Sequence, residues 1–441
     1  TGESLVLDVR RDVDTYYQLA RDKDLRITHA ADTHQHNDYL TGITNLEQRG
    51  SLELLASARA ELGYRARALQ DGEHLRLGEV DFEVLHTPGH TPEHISLLVR
   101  DLARGEEPLI LLSGGALLVD DVARPDLLGG EEAARQGAQD MSRSLREKIL
   151  PLPDHVMVFP THVAGSLCGG SIGSMLFTTL GYERRLNKLL SCIVDEKDFE
   201  SACLDLDTLP TVPPFWPRMR KQNIQGPTPL GVLAEPPALP PGELERAVQD
   251  GAVVVDCRAA EAFGGGHIPG AINVDLSSSF PTWAGSVLPA DRPLVLVLER
   301  TADLWEACVS LLRVGFELPR GWLAGGMLAW RTAGQPIARV PQWTVEDLIR
   351  HRDAPDCLVL DVRQPGEWQA GRVPGAVHIP GASLPGEMDQ LPRASTIAVY
   401  CGSGYRSSIA TSLLKRAGFP EVVNVLGGFS AWQQRQYPVE G

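Results

Sequence analysis

Residues 396–417 read TIAVYCGSGYRSSIATSLLKRA: an apolar β-branched run, a glycine-rich turn and a helical pattern. A strand that leads through a short loop into a helix is the repeating unit of an α/β fold with a parallel sheet. The turn begins at Cys401 and ends at Arg406. Its glycines let backbone amides turn inward, and the helix N-terminus and the arginine add positive charge. The stretch predicts an anion-binding loop that favours the thiolate of Cys401, rather than a cysteine that only ends a strand in the core.

This stretch belongs to the second copy of an internal repeat. The run VVVDCR at 253–258 recurs as LVLDVR at 358–363, an offset of 105 residues. The glycine pair at 325–326 recurs at 427–428, an offset of 102 residues. Each copy alternates short apolar runs with helical patterns, which predicts two α/β modules with parallel sheets.

The remaining sequence predicts the domain limits. Residues 226–242 (GPTPLGVLAEPPALPPG) are rich in proline and glycine, so they predict a linker between a domain at 1–225 and modules at 243–336 and 340–441. The N-terminal domain has a higher density of predicted strands, and its mixture of elements predicts a layered αββα arrangement. Its predicted strands are 5–9, 82–86, 95–99, 109–113 and 156–160, and its predicted helices are 13–20, 54–62, 131–149 and 179–190.

Composition excludes several classes of partner. The 441 residues include 41 Lys+Arg and 57 Asp+Glu, and the net charge of −16 repels nucleic acid and anionic membrane surfaces. No apolar stretch approaches the roughly 20 residues of a membrane-spanning helix. The seven cysteines are odd in number and scattered, which favours a reducing cytoplasm over a disulfide framework. We expect a cytoplasmic protein that can form a homo-oligomer.

The repeat and the Cys401 loop resemble the rhodanese family of sulfurtransferases. The resemblance implies that Cys401 carries a sulfane sulfur as a persulfide, with Arg406 as a second catalytic residue. The implied substrates are small-molecule persulfides, thiosulfate or sulfite. Four residues lie between Cys401 and Arg406, against five in cysteine-dependent phosphatases, so we expect sulfur rather than phosphate chemistry. These four form the implied persulfide cradle: Gly402, Ser403, Gly404 and Tyr405.

The first copy departs from this pattern. Aligning its glycine pair with that of the second copy places Glu299 opposite Cys401. A carboxylate cannot carry sulfur and would repel a persulfide anion. Residues 243–336 are therefore expected to form an inactive rhodanese-like module.

Histidines in the N-terminal domain form three groups at predicted strand ends. The groups are THQHNDY at 33–39, TPGHTPEH at 87–94 and FPTH at 159–162. Neighbouring imidazoles are good metal ligands, and turns at strand ends let such side chains converge. The groups together predict a metal site.

This ordered set resembles the metallo-β-lactamase fold, and within it the persulfide dioxygenases that are fused to rhodanese modules. Further motifs of that kind are DVARPDL at 121–127, HVAGSLCG at 162–169 and TTLGYE at 178–183. The resemblance implies one iron(II) per chain, bound by His34, His90 and a carboxylate. Neighbours that orient the ligands or the substrate would be His36, Asp38 and His162, with Cys168 as a nearby thiol.

Two positions depart from that family. Tyr39 replaces a histidine that serves a second metal, so a site for one metal tolerates the change. Gly115, in the run SGG at 113–115, stands where the family has the aspartate ligand. The lost carboxylate is expected to weaken metal binding by more than the roughly 10–100-fold of an outer-shell change.

Three functions follow from these motifs. The first is a sulfide-detoxifying fusion that oxidises a persulfide to sulfite at iron and transfers sulfane sulfur through Cys401. The second, favoured by Gly115 and Glu299, is a metal-free scaffold that relays persulfide sulfur through Cys401 alone. The third is thioester hydrolysis of the glyoxalase II kind, which needs two metals and a bridging aspartate and is therefore disfavoured by Tyr39 and Gly115.

Overall fold

The computed structural model describes residues 2–205, 209–393 and 395–441. The chain divides into an N-terminal unit, Thr1–Val212 with Trp216–Val232, and a C-terminal unit, Pro213–Phe215 with Leu233–Gly441. Across the described ranges, no helix has the length and apolar character needed to cross a membrane.

Two sheets form the centre of the N-terminal unit. The strands of the first sheet are β1 (Glu3–Leu7), β2 (Arg26–Ala31), β3 (Glu53–Ser57) and β4 (Arg67–Leu69). They are parallel and lie in sequence order. The strands of the second sheet are β5 (His74–Leu77), β6 (Val80–His86), β7 (Ile95–Asp101), β8 (Pro108–Gly114), β9 (Met157–Pro160) and β10 (Thr178–Thr179). They also lie in sequence order, and only β8 and β9 are parallel.

Helices cover the outer faces of both sheets. They are α1 (Asp14–Asp22), α2 (Ile43–Arg49), α3 (Glu131–Ser144), α4 (Leu180–Leu186), α5 (Lys188–Ser191), α6 (Glu196–Cys203) and α7 (Trp216–Gln225), and a π-helical turn (Leu145–Ile149) continues α3. Leu46 of α2 packs with Ile27 of the first sheet, and Met141 of α3 packs with Leu111 of the second. This arrangement confirms the predicted αββα fold.

The predicted helix at 54–62 is wrong, because these residues begin in strand β3. Leu54 packs with the helices outside the first sheet, while Leu55 packs between the two sheets. A parallel strand that is buried on both faces reads as a continuous apolar run, which sequence alone does not distinguish from a buried helix.

The C-terminal unit contains two five-stranded parallel sheets. The first consists of β11 (Ala238–Leu239), β12 (Val253–Asp256), β13 (Ile272–Asn273), β14 (Leu294–Val297) and β15 (Gly321–Leu323). The second consists of β16 (Gln342–Trp343), β17 (Cys357–Asp361), β18 (Val377–His378), β19 (Thr396–Tyr400) and β20 (Val422–Val425). The strand orders, β11-β15-β14-β12-β13 and β16-β20-β19-β17-β18, are the same. The sequence repeat is therefore a repeat of structure.

Helices connect the strands of both modules. In the first module they are α8 (Pro241–Gln249), α9 (Ala260–Gly265), α10 (Phe280–Val287), α11 (Leu304–Arg313) and α12 (Gly326–Thr332), with a 3₁₀ turn (Thr301–Asp303). In the second they are α13 (Val345–His351), α14 (Pro365–Gln369), α15 (Leu384–Glu387), α16 (Tyr405–Arg416) and α17 (Gly428–Gln434), with a 3₁₀ turn (Met388–Gln390).

The repeated Asp-x-Arg motif forms the same buried ion pair in both modules. Arg258 donates to Asp256 at 2.6 Å and to the carbonyl of Gly266. Arg363 donates to Asp361, also at 2.6 Å, and to the carbonyl of Gly371. Each arginine thus joins the end of a central strand to the segment after the next helix. The buried aspartate and the glycine carbonyl both receive a hydrogen bond from this arginine.

Candidate functional site

Cys401 lies directly after β19, in the loop that leads into α16, and is 1% exposed. The Gly404 amide donates a hydrogen bond to its Sγ atom at 3.2 Å, and the Ser407 hydroxyl donates another at 3.6 Å. Because Gly404 is the N-cap of α16, Sγ also lies at the positive end of a helix. These donors can stabilise negative charge on the sulfur.

The Cys401 loop is fixed by the turn that begins α17. Three loop carbonyls accept hydrogen bonds from amides of that turn: Cys401 from Phe429 at 2.7 Å, Gly402 from Ser430 at 3.0 Å and Ser403 from Gly427 at 3.1 Å. The close approach requires glycine at position 428, since a Cβ atom there would lie 2.3 Å from the Cys401 carbonyl oxygen. The predicted loop residues are thus brought together through their backbone.

Arg406 is paired with a residue that the sequence analysis missed. Its guanidinium donates to both carboxylate oxygens of Glu367, at 2.5 and 2.8 Å. Burial lowers the pKa of Arg406, but Glu367 and Cys401 outweigh this and raise it. Burial likewise raises the pKa of Glu367, but Arg406 brings it below its ordinary value. The only local signal for Glu367 is its place in the capping box that begins α14.

Tyr405 contacts the first module through its side chain. Its hydroxyl donates to the carbonyl of Asp275 at 3.3 Å, and burial is the main cause that raises the pKa of Tyr405 to about 12. The side chain is therefore neutral at physiological pH. Of the predicted cradle, only Gly404 has an amide hydrogen bond to Sγ that the structure records.

Strand register locates the position equivalent to Cys401 in the first module. Asp256 pairs with Val297 as Asp361 pairs with Tyr400. The residue after Val297 is Leu298, which is buried, so Leu298 rather than Glu299 stands opposite Cys401. Glu299 is exposed and lies one residue further on, because the alignment on the glycine pair skipped a residue in the loop. Neither side chain is a thiol, so this position of the first module has no sulfur nucleophile.

In the N-terminal unit the structure brings four predicted histidines together. The ring centroids of His34 lie 4.2, 4.9 and 5.4 Å from those of His36, His90 and His162. All four residues are at most 3% exposed. Burial and the neighbouring histidines hold the pKa values of His34 and His90 well below the ordinary range, so both rings are neutral and able to bind a metal.

Polar neighbours orient three of these rings by their Nδ1 atoms. The Nδ1 atom of His90 lies 2.9 Å from the Arg124 carbonyl, and that of His34 lies 2.8 Å from the Thr33 hydroxyl. The Nδ1 atom of His162 faces Asp38 at 3.6 Å. The Nε2 atoms of His34 and His162 are 3.4 Å apart, and Nε2 of His90 is buried without a hydrogen-bond partner. Such partners at the second nitrogen are typical of metal-binding histidines.

His36 is held by Tyr39 and by Asp8, a residue that sequence analysis missed. Its Nε2 atom lies 3.2 Å from an Asp8 carboxylate oxygen and 3.0 Å from the Tyr39 hydroxyl. The Tyr39 ring also stacks on the imidazole at a centroid distance of 4.3 Å. Tyr39 therefore orients His36 and adds no nitrogen ligand. Burial lowers the pKa of His36, but Asp8 outweighs this and raises it.

His94, which belongs to the same sequence group as His90 but was given no role of its own, also lies at this site. Its Nδ1 atom lies 2.9 Å from the Thr87 hydroxyl, and its Nε2 atom accepts a hydrogen bond from the Gly115 amide at 2.8 Å. Burial lowers the pKa of His94 to about 3, so the ring is neutral. The side chain thus fixes the backbone at Gly115 instead of pointing a free nitrogen at a metal.

The surroundings of Gly115 leave no place for a carboxylate ligand. A Cβ atom at this position would lie 2.7 Å from Cδ2 of His90 and 3.3 Å from the Ala123 side chain. The nearby Asp121 accepts hydrogen bonds from the amides of Val122 and Ser171 instead. Within the described ranges, no cluster of ligand atoms joins two of these histidines to a carboxylate. A two-histidine, one-carboxylate iron site of the kind found in non-haem oxygenases therefore does not fit these residues.

Besides the partly buried set of Asp8, Asp32 and His36, two fully buried clusters could hold a metal ion at this place. One consists of His34, His36 and His162, and the other of His90, His162 and Cys168. In each cluster the ligand atoms lie within 4.8 Å of one another and all the residues are buried. Burial lowers the pKa of His162, but Cys168 and Asp38 outweigh this and raise it well above its ordinary value. The thiol thus lies among the histidines, as the sequence resemblance implied.

Comparisons with known proteins cover both units. The family model "Rhodanese-like domain" matches residues 240–333 and 344–435. A sulfurtransferase of Allochromatium vinosum is 34% identical over 90 residues, which are 20% of this chain and 84% of that protein. Human mitochondrial persulfide dioxygenase ETHE1 is 28% identical over 185 residues, 41% of this chain. The chain spans 63% of that protein's length, less than two thirds.

A solved structure extends the similarity across both units. The crystal structure of a metallo-beta-lactamase from Staphylococcus aureus subsp. aureus COL is 30% identical, with a TM-score of 0.65. The similarity covers 74% of this chain and 92% of that chain.

Proposed function

Because this chain belongs to the proteins in which an ETHE1-like metallo-β-lactamase-fold region is joined to rhodanese-like domains, we propose that Cys401 transfers sulfane sulfur between small molecules. The rhodanese-like domains and their sulfurtransferase relatives make it an enzyme of sulfur transfer. The observation that carries the proposal is the position of the Cys401 sulfur, which faces the Gly404 amide and the Ser407 hydroxyl at the start of α16.

The reaction has two half-steps. In the first, the Cys401 thiolate attacks the outer sulfur of thiosulfate, the S–S bond breaks, and its electron pair leaves on sulfite. In the second, a low-molecular-weight thiolate attacks the terminal sulfur of the Cys401 persulfide, which regenerates the Cys401 thiolate. One persulfide and one sulfite form for each thiosulfate and thiolate consumed, and the same steps run in reverse make thiosulfate from sulfite and a persulfide.

The residues around Cys401 support both half-steps. The Gly404 amide and the helix N-terminus stabilise the anionic thiolate and then the persulfide. Arg406 lies beside this sulfur, but its charge is shared with Glu367. Glu367 fixes the guanidinium beside the sulfur, where it also contacts Cys401. The backbone contacts with the α17 turn hold the loop during turnover.

The test is a single turnover with thiosulfate. The wild-type protein should release one sulfite per chain and gain the mass of one sulfur atom, while Cys401→Ser should do neither. Cys357→Ser is the matched control, because Cys357 lies in the same module at the start of β17, away from the loop. Sulfite release that persists in Cys401→Ser, or that is lost equally in Cys357→Ser, would refute the proposal.

Iron-dependent oxidation of persulfides, the reaction expected from the sequence resemblance, does not fit the residues of the N-terminal unit. Gly115 supplies no oxygen ligand, and the close approach of His90 leaves no room for one. We therefore propose that Gly115 abolishes the iron triad, and that the N-terminal unit does not consume dioxygen. An oxygen electrode checks this: glutathione persulfide should cause no uptake above that of a protein-free control when it is added to wild-type protein purified anaerobically from iron-replete cells, and uptake that exceeds this control would refute the proposal.

A further inference from the structure

We propose that His90, His162 and Cys168 bind one zinc ion, with the Cys168 thiolate in place of the carboxylate that Gly115 lacks. Their ligand atoms lie within 4.8 Å of one another. The residues are 1%, 3% and 1% exposed, respectively. This site does not depend on sulfur transfer at Cys401.

Both imidazoles already have the hydrogen-bonding partners of metal ligands. Nδ1 of His90 lies 2.9 Å from the Arg124 carbonyl, which fixes the proton on Nδ1 and leaves the buried Nε2 without a partner. Nδ1 of His162 faces the Asp38 carboxylate at 3.6 Å. A carbonyl or a carboxylate at the second nitrogen orients a ligand histidine and raises its basicity. An unpartnered buried nitrogen is costly unless something binds it, and a metal ion would remove that cost.

Arg124 links two of the three ligands. Its carbonyl binds His90, and its amide donates to the Cys168 carbonyl at 2.7 Å. The guanidinium of Arg124 forms two hydrogen bonds of 2.7 Å with Asp126, so this residue is itself fixed. Cys168 is further held by the Ser166 hydroxyl, which accepts its amide proton at 3.2 Å. These hydrogen bonds fix the backbone at Cys168 and so hold its thiol beside the histidines.

The ligand set selects the metal. Two neutral imidazoles and a thiolate are typical zinc ligands, whereas iron(II) oxygenase sites use a carboxylate, and magnesium and calcium use oxygen. On binding, the Cys168 sulfur and Nε2 of His162 form bonds to the ion, and the protons that these two atoms carried pass to solvent. The thiolate supplies the negative charge that the site would otherwise lack.

The other cluster, His34, His36 and His162, is the competing position. It shares His162 with the proposed site, so one ion excludes the other, and it offers no anionic ligand. Its His36 resembles His90, because Nε2 is engaged by Asp8 and Tyr39 and Nδ1 is buried without a partner, so the anionic sulfur and not the histidines distinguishes the two positions. We therefore place the ion on the Cys168 side of His162, and the two positions differ in whether sulfur is bound.

Cobalt(II) is the probe, because a cobalt–thiolate bond gives a charge-transfer absorption band in the near ultraviolet and a cobalt–histidine bond does not. The full-length protein, freed of metal with a chelator, should show this band with one cobalt per chain. Cys168→Ser should lose the band and bind zinc at least 10-fold more weakly, measured by competition with a chromophoric chelator. Cys192→Ser and Cys401→Ser are the controls and should keep the band.

Other outcomes would overturn the proposal. One is cobalt bound without the band and lost in His36→Gln, which would place the ion on the all-histidine side. A band that survives in Cys168→Ser, or no bound metal in the wild-type protein, would also refute the site. Should Cys168→Ser not fold, zinc-edge X-ray absorption of the wild-type protein decides: we expect one sulfur at about 2.3 Å and nitrogens at about 2.0–2.1 Å. A zinc shell without sulfur would refute the assignment.

Discussion

Substitution of Gly428 by alanine should displace the Cys401 loop and slow sulfur transfer, although Gly428 itself does not contact substrate. Gly428 has a φ of +52°, and an added Cβ atom would lie 2.3 Å from the Cys401 carbonyl oxygen, where ordinary contact begins at 3.4 Å. Because the obstructing atom is backbone, the loop must move by about 1 Å to restore van der Waals contact. A displacement of that size near reacting atoms costs about 100-fold in rate.

The first module offers a matched control at its equivalent glycine. Gly326 has a φ of +57°, but the nearest atom to an added Cβ, the carbonyl oxygen of Leu298, is 3.8 Å away. Both alanine variants carry the same left-handed backbone cost of about 1–2 kcal/mol. Only Gly428→Ala adds the steric clash, for which overpacking predicts a further 1–3 kcal/mol.

The assays are denaturant unfolding and sulfite release from thiosulfate with a thiol acceptor. Gly428→Ala should lose about 100-fold in transfer rate, whereas Gly326→Ala should keep the wild-type rate. Because both variants carry the same backbone cost, the difference between their transfer rates reports the steric clash with the Cys401 carbonyl. Equal effects of the two variants on transfer would refute the reasoning, because the clash at Gly428 would then have no consequence for the sulfur.

Two further predictions concern charge and the metal region. Glu367→Gln should lower the free energy of unfolding by about 1 kcal/mol or less at pH 7, because the ion pair with Arg406 is partly exposed. Burial raises the pKa of Glu367, but Arg406 brings it below its ordinary value. The difference in unfolding free energy between the wild type and Glu367→Gln should therefore persist down to about pH 4.3 and vanish as the pH falls through the lowered pKa. A difference that grows in acid would contradict the ion pair between Glu367 and Arg406. Gly115→Asp should destabilise the N-terminal unit by about 1–3 kcal/mol, because its Cβ would lie 2.7 Å from the His90 ring. It should also bind no iron, which elemental analysis checks; a stable variant with one iron per chain would contradict the prediction.

Sequence predicted most reliably what is encoded within short segments. The repeat identified both modules because strand, turn and helix signals lie within about 30 residues in each βα unit. The αββα fold followed from the same kind of pattern, but strand β3 was predicted as part of a helix at 54–62. Leu54 and Leu55 are buried on opposite faces of a strand, and that pattern is set by the helices and the second sheet, which are distant in sequence.

The two sites differ in how much of them could be predicted. The Cys401 loop is a single segment, so its residues were named together, whereas its partner Glu367 comes from another helix. In the N-terminal unit the predicted histidines converge, but the partners that set their ring nitrogens, Asp8 and the Arg124 carbonyl, have no sequence motif of their own. Leu298 was missed because an alignment anchored on glycines does not report the register of the preceding strands.

The first module has a structural role in the active site although it has no thiol at the equivalent position. Helix α16, which begins at the Cys401 loop, is buried from Ser407 to Leu414. Two serines of this buried segment contact Asn273 of β13. The backbone amide of Asn273 donates to the Ser412 hydroxyl at 3.1 Å, and its side-chain oxygen accepts from the Ser408 hydroxyl at 2.5 Å. Each buried polar group left without such a partner would cost about 1–3 kcal/mol. The first module therefore stabilises the helix whose N-terminus holds the reactive sulfur, and this role requires its fold and Asn273 but no nucleophile.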